Sequence, residues 1–179
     1  MTIIETQRLI IRELLPTDIE GMFELDADPE VHRYLGKCPI NTKNEALENI
    51  QLIRAQYITN GIGRWAIVEK ETGNFMGWTG LKLISELTNS HINYYDLGYR
   101  LIKKYWGQGF ATETAIATID YAFNKLNINE IYAIADCENE GSDKILKKAG
   151  LKLIESFNHN GVEHNWYEIK RLKKRSGKA

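Results

Sequence analysis

The spacing of apolar residues changes several times along the chain, and each change marks an element. In residues 5–14, Leu9 and Ile11 face one way and Ile10 and Leu14 the other, which predicts a strand covered in part on both faces. Thr17 and Glu20 then have the spacing of a capping box, and Ile19, Met22 and Phe23 give the helix behind it an apolar side. Thr42 and Glu45 repeat that spacing, with Ala46, Ile50, Ile53 and Tyr57 following at helical intervals until Gly61 stops the helix. Residues 65–68 and 75–83 read as two strands joined by a turn at 71–74, and 84–91 as an aperiodic polar loop. A strand over 93–101 follows, then a helix over 110–126 with Ala115, Ile119, Ala122, Phe123 and Leu126 on one face. The short apolar run 131–135 predicts a strand buried on both faces, and 139–149 a helix closed by Lys147, Lys148 and Gly150. Two last strands, 151–157 and 162–169, meet through Asn160-Gly161. The order predicts an α+β fold, a mixed and mainly antiparallel sheet flanked by helices.

The chemistry concentrates between the strand ending near Ile102 and the helix starting near Phe110. Gly107 and Gly109 sit there one residue apart, where the backbone turns tightly and approaches a ligand without interference from a Cβ. The turn leaves unpaired amides at a helix N-terminus, a site for phosphate or another anion. A nucleotide-hydrolase loop requires Gly-Lys followed by Ser or Thr, and here Phe110 and Ala111 follow Gly109. A dinucleotide fingerprint requires a third glycine where Thr112 stands.

Composition narrows the function without naming it. The 179 residues fit one domain, expected over 1–170 with a basic tail at 171–179. A net charge of -1 argues against a surface devoted to nucleic acid, and no apolar run approaches the roughly 20 residues of a membrane span. Cys38 and Cys137 lack disulfide-framework and metal-ligand spacing, which points to a reducing, cytoplasmic setting and to no metal. His159 and His164, flanking Asn160-Gly161, read as hairpin surface residues. Glu24, Asp26, Asp28 and Glu30 alternate with other residues and suit either a solvated helix end or a negative rim that steers a cationic amine.

Tyr105-Trp106-Gly107-Gln108-Gly109-Phe110-Ala111-Thr112-Glu113 closely resembles the coenzyme A pyrophosphate loop of the GNAT acetyltransferases, in particular the ribosomal-protein N-acetyltransferase-like (RimJ/RimL) branch. Residues 6–12 resemble that branch's first strand, and 138–142 with 149–151 its second coenzyme motif. Lys104 departs from the family's Arg or Gln at the first loop position, keeping a cation but not the planar fork. The resemblance implies a sheet of about seven strands, splayed at the cofactor site, and acetyl-CoA as cosubstrate. It implies that the backbone of Leu101 and Ile102 pairs with the pantetheine amides, and that Lys104, Gly107, Gln108, Gly109, Phe110, Ala111 and Thr112 form the loop around the diphosphate. Asn139 matches the Asn that bonds the cofactor arm, and Ser142 the Ser near the sulfur. The implied acceptor is a primary amine, on a protein N-terminus or a small molecule, and the implied assembly a monomer or homodimer. Residues 24–36 and 84–91 are expected to form the acceptor wall.

Acetyl transfer from a thioester requires a neutral amine, stabilisation of an oxyanion and relief of charge on the departing thiolate. Asp96 stands where many relatives carry Glu, and suits either a base acting through water or a carboxylate that orients its neighbours. Leu146 occupies the position at which many relatives place a Tyr acid. Ser142 remains as the hydroxyl near the sulfur, unless it only caps its helix. A non-catalytic acyl-CoA-binding module is the alternative to an enzyme.

Overall fold

The computed structural model describes residues 2–172, so the tail from 173 onward lies outside the described residues. Strands β1 (Thr2–Glu5) and β2 (Leu9–Glu13) precede helices α1 (Ile19–Asp26) and α2 (Lys43–Asn60). Strands β3 (Arg64–Glu69), β4 (Phe75–Ile84) and β5 (Tyr94–Leu101) lead into α3 (Phe110–Asn124). Strand β6 (Glu130–Asp136), helix α4 (Glu140–Lys148) and strands β7 (Lys152–His159) and β8 (Val162–Lys170) complete the order. The strands form one eight-stranded sheet in the order β1-β2-β3-β4-β5-β6-β8-β7.

The eighth strand comes from the start of the chain. Where a single strand is expected over 5–14, Thr6 closes a hairpin, its amide donating to the Leu9 carbonyl at 3.0 Å and its hydroxyl accepting from the Leu9 amide at 3.0 Å. The next helix also begins differently from the Thr17 capping box. A 3₁₀ turn at Pro16–Asp18 leads into α1, and the Asp18 carboxylate accepts from the Leu15 amide at 2.8 Å and from both terminal nitrogens of Arg12. The other local signals appear as expected. Thr42 and Glu45 cap α2 reciprocally, Gly61 ends it in the left-handed region at φ +68°, and Asn160-Gly161 turns with both φ positive.

Helices α1 and α2 cover one face of the sheet, packing Leu14, Met22, Leu25, Ala46 and Ile50 against Ala66 and Ile102. The other face holds Leu97, Ala115, Ile119, Ala133 and Leu146. Full burial of each leucine, isoleucine or methionine among them stabilises by about 1.5–3 kcal/mol, which fixes the two helical layers to the sheet. All neighbouring strands run antiparallel except β5 and β6, which are parallel and register only at Asp96 and Tyr132. Beyond that pair the two strands diverge, and the gap between them is the entrance to the site. No helix among the described residues is long and apolar enough to cross a membrane.

Candidate active site

The gap between β5 and β6 opens into a cleft of about 720 Å³, within the range of small-molecule sites. Leu97 to Leu101 of β5 and Ala133 to Asp136 of β6 form its walls. Strand alternation directs successive side chains to opposite faces, so Asp96, Gly98 and Arg100 face α1 and α2 while Leu97 and Tyr99 face α3 and α4. The contacts agree: Arg100 pairs with Asp26 of α1 at 2.6 Å, and the Tyr99 hydroxyl meets Ser142 of α4 at 2.9 Å. Asp96 and Ser142 therefore reach the same cleft from opposite sides of the sheet.

At one end lies the glycine loop. Gly109 is the N-cap of α3 with φ +82°, and no side chain caps the helix. The first intrahelical bond runs from the Glu113 amide to the Gly109 carbonyl, which leaves the amides of Phe110, Ala111 and Thr112 without a partner in the helix. A Cβ added at Gly107, at φ +74°, would meet no atom within 4 Å. An open cradle of amides at a helix N-terminus suits a diphosphate. The Glu113 carboxylate in the first turn does not oppose such an anion freely, because Arg8 Nε holds it at 2.7 Å and the Thr6 hydroxyl at 2.6 Å. Those bonds outweigh its burial and keep its carboxyl below the usual range.

Asp96 is held from behind. Arg64 Nη2 lies 2.5 Å from Asp96 Oδ2, and Arg64 Nη1 donates to the Asp96 carbonyl at 2.7 Å and to the Gly80 carbonyl. The guanidinium passes over Gly98, where an added Cβ would sit 2.7 Å from Cζ. Burial pushes the Asp96 carboxyl up, opposed by Arg64, by the charge of Lys82 and by the Ile134 amide. A carboxylate in this state is a better proton acceptor than one in water.

On the far side, Asn139 caps α4 by accepting the Ser142 amide at 3.0 Å, which leaves the Ser142 hydroxyl with Tyr99 as its partner. Leu146, one turn on, is 1% exposed and packs in the core.

Of the residues expected at the site, Asp96, Leu101, Gly107, Gly109, Phe110, Ala111, Thr112, Asn139 and Ser142 line the cleft. Ile102, Lys104 and Gln108 do not. Ile102 is buried, its amide donating to the Met76 carbonyl at 2.9 Å and its carbonyl accepting from Tyr105, so its backbone is already engaged within the chain. Lys104 turns to Glu24 at 2.9 Å, and the Gln108 side chain folds back on the Lys104 carbonyl. The alternating acidic run is largely paired, Glu24 with Lys104, Asp26 with Arg100 and Glu30 with Lys103 at 3.9 Å, so it is not an open negative rim. Of the residues expected to form an acceptor wall, Glu30, Val31, Arg33, Tyr34 and Leu35 line the cleft. The loop 84–91 instead folds away, with His91 stacked on Trp166 at 4.7 Å. His164 reaches the rim of the cleft from the last hairpin.

Sequence reasoning missed Arg64 and Tyr99. A cation opening the otherwise apolar run Arg64-Trp65-Ala66-Ile67-Val68 was one available signal. A tyrosine three residues after Asp96, hence on the opposite face of the strand, was the other.

The chain matches the family model described as the acetyltransferase (GNAT) domain over residues 8–152. It is 30% identical over 170 residues to p20 of Bacillus licheniformis, named an uncharacterized N-acetyltransferase, covering 95% of this chain and 90% of that one. Its fold is similar to RimL, a ribosomal L7/L12 alpha-N-protein acetyltransferase solved with coenzyme A, at TM-score 0.80 and 15% identity, over 95% of this chain and 98% of that one. It is also similar to the spermidine N-acetyltransferase of Vibrio cholerae solved with coenzyme A and spermine, at TM-score 0.73 and 20% identity, over 92% and 96% of the two chains. The sheet, the loop and the match together make this an acetyltransferase fold. The chain belongs to the GNAT family, whose members are acetyl-CoA-dependent acetyltransferases.

Proposed function

We propose that this protein transfers an acetyl group from acetyl-CoA directly to a primary amine, with both substrates bound together in the cleft between β5 and β6. The observation that carries this reading is the two-sided cleft, with an uncapped helix N-terminus and Ser142 toward α3 and α4 and a half-buried carboxylate toward α1 and α2. The amides of Phe110, Ala111 and Thr112, with Gly107 and Gly109 turning the loop, hold the diphosphate, and Leu101 and Asn139 hold the pantetheine arm. Asp96 takes the amine proton through a water as the N–C bond forms. Collapse of the tetrahedral intermediate breaks the C–S bond, leaving the electron pair on sulfur beside Ser142.

The charges support an acceptor with one amine to present, on a protein N-terminus or a small molecule, over a polyamine. A polyamine brings further ammonium groups that require unpaired carboxylates. Of the cleft carboxylates, Asp96 is already paired with Arg64 and Glu30 with Lys103 at 3.9 Å, which leaves Asp136 alone without an ion pair among the described residues, one fewer than the two further ammonium groups of a triamine such as spermidine. An α-amine, with a pKa of about 7.7–8.0 against about 10.4 for an aliphatic ammonium, also presents far more free base at neutral pH.

Thiol release from acetyl-CoA, measured against peptides, amino acids, polyamines and aminoglycoside-type amines, tests both levels. Release with peptides or amino acids and little with spermidine is the expected result. Preferential turnover of spermidine would overturn the acceptor reading, and saturable coenzyme binding with no release by any amine would leave a binding module.

A further inference from the structure

We propose that Tyr99 is a positioning residue for the leaving group, holding the Ser142 hydroxyl with its proton turned toward the coenzyme sulfur. The inference rests on reading the cleft as the coenzyme site.

Ser142 has three polar groups, and the Tyr99 hydroxyl stands near two of them. Its amide donates to Asn139 Oδ1 at 3.0 Å, and its carbonyl lies 3.2 Å from the Tyr99 hydroxyl oxygen, which carries a single proton. Its Oγ lies 2.9 Å from the Tyr99 oxygen. In that contact one hydroxyl donates and the other accepts. A phenol, with an ordinary pKa of about 10, is a stronger acid and a better donor than an alkyl hydroxyl. Tyr99 therefore gives its single proton to the nearer of the two Ser142 oxygens, Oγ accepts, and the serine proton is left for a third atom. Serine in the first turn of a helix can instead turn its hydroxyl onto a backbone carbonyl three or four residues back. Among the described residues, Tyr99 is the partner of this hydroxyl.

Both ends of the contact are rigid. Tyr99 lies within β5, registered with Thr79 of β4 in an unbroken antiparallel pairing from Gly77 to Ile84. Ser142 is fixed by the Asn139 cap of α4. The contact bridges β5 and α4 where β5 and β6 have separated, so it meets the cleft at the side toward α3 and α4. The helix itself supplies no phenol, since Leu146 is buried in the core. A phenol from the sheet stands near the leaving-group side instead. Burial pushes the Tyr99 phenol far above its usual range, so it stays protonated and remains a donor throughout catalysis.

Tyr99 is not the acid in this scheme. The N–C bond forms, the C–S bond breaks, and the thiolate accepts a hydrogen bond from Ser142 before taking its proton from water. A thiol titrates near 8.5, well below either hydroxyl, so polarisation of the sulfur and not full proton transfer is what the pair supplies.

The test uses coenzyme A itself, the product thiol, and needs no acceptor. The bound thiol is titrated through the ultraviolet absorbance of its thiolate, and affinity is measured by calorimetry. In the wild type the bound thiol should titrate below free coenzyme A. Tyr99→Phe and Ser142→Ala should each raise it by roughly one pH unit and lower kcat roughly tenfold, with coenzyme affinity little changed. The double variant should be no worse than either single one. Site-specific 3-fluorotyrosine at 99 keeps the shape and strengthens the donor, so it should lower the bound thiol further, which keeps the test available if Tyr99→Phe does not fold. A wild-type thiol titration in folded Tyr99→Phe, or no response to fluorination, overturns the inference alone. Failure of the wild type to bind coenzyme A overturns the acetyltransferase site with it.

Discussion

Arg64 grips Asp96 across a glycine: its guanidinium lies 2.5 Å from the carboxylate at Nη2 and crosses Gly98, where an added Cβ would sit 2.7 Å from both Cζ and Nη2. The glycine is thus a condition of the ion pair. Gly98→Ala should displace the guanidinium, destabilise the fold by about 1–3 kcal/mol through overpacking, and misplace the carboxylate. Turnover should fall tenfold to a hundredfold, roughly the cost of a small misplacement, with coenzyme affinity kept. Kinetics and calorimetry on the variant check this, and wild-type turnover would show that Arg64 does not set the position of Asp96.

The pH profile follows from the same pair. Burial raises the Asp96 carboxyl and Arg64 lowers it, with burial the larger effect. If Asp96 is the base, activity needs its ionised form, so the rate falls as pH drops through its raised pKa. Removing the cation in Arg64→Met should move that acid limb to higher pH. Asp96→Asn should depress the rate most just above the Asp96 pKa, where the wild type has an ionised base and the amine is still protonated, and progressively less as pH nears the amine's own pKa, where free amine no longer has to be generated. Profiles of kcat/KM between pH 5 and 9.5 decide it, and an equal loss at every pH makes Asp96 a positioning residue.

The fold was legible in the sequence wherever one local signal determined one element. Thr42 with Glu45, Gly61, Asn160-Gly161 and the run 131–135 each specify their structure through short-range chemistry. The first hairpin was not legible, because Thr6-Gln7-Arg8 carries no glycine or proline and the turn is closed by the Thr6 side chain. At the site, the glycine loop stood out because its chemistry is local, and Ser142 through the resemblance to the acetyltransferase motif. Arg64 and Tyr99 were hidden because their partners lie 32 and 43 residues away in sequence. Pairings at that separation are set by sheet register, which a single strand's periodicity does not encode. Lys104 and Gln108 are the reverse case: their motif positions were plain, while side-chain direction was decided by Glu24 and by the loop's own carbonyl.

Coenzyme binding is expected to separate backbone from side-chain roles in the loop and cap. Gly109 has φ +82°, and a Cβ there would meet only Arg8, at 3.6 Å, so Gly109→Val acts through backbone strain and by blocking the approach of the diphosphate. It should abolish the rise in melting temperature that saturating coenzyme gives, about 2.7 kcal/mol at a hundredfold excess over Kd. Unchanged affinity by calorimetry would remove the loop from the site.

Asn139→Ala probes a residue with two duties, since its Oδ1 already caps α4. Loss of the cap should cost about 1 kcal/mol of stability. If the side-chain amide also bonds the coenzyme arm, affinity should fall by a further few-fold to about tenfold. A folded variant with the wild-type dissociation constant and a lower melting temperature would reduce Asn139 to a cap.

Glu113 makes a prediction about stability. Its carboxylate joins the first hairpin to the start of α3, through Arg8 Nε at 2.7 Å, the Arg8 amide at 3.3 Å and the Thr6 hydroxyl at 2.6 Å. Burial alone would raise its carboxyl, but these bonds prevail and the folded-state pKa lies below the ordinary 4.5. The sign follows from linkage: the unfolded chain binds the proton more tightly, so the stabilisation is complete above the unfolded pKa and is lost as pH falls through the folded one. Arg8 is 42% exposed, so solvent screening holds the contribution to about 0.5–1 kcal/mol. Glu113→Gln should therefore lower the melting temperature at pH 7 and match the wild type more closely once pH falls below the lowered folded-state pKa of Glu113, where both side chains are neutral. Thermal melts from pH 3 to 7 measure the difference, which should narrow as pH falls. A constant gap would assign the effect of the substitution to packing, and the same melts in 0.5 M salt should shrink the neutral-pH gap if the Arg8 charge contributes to it.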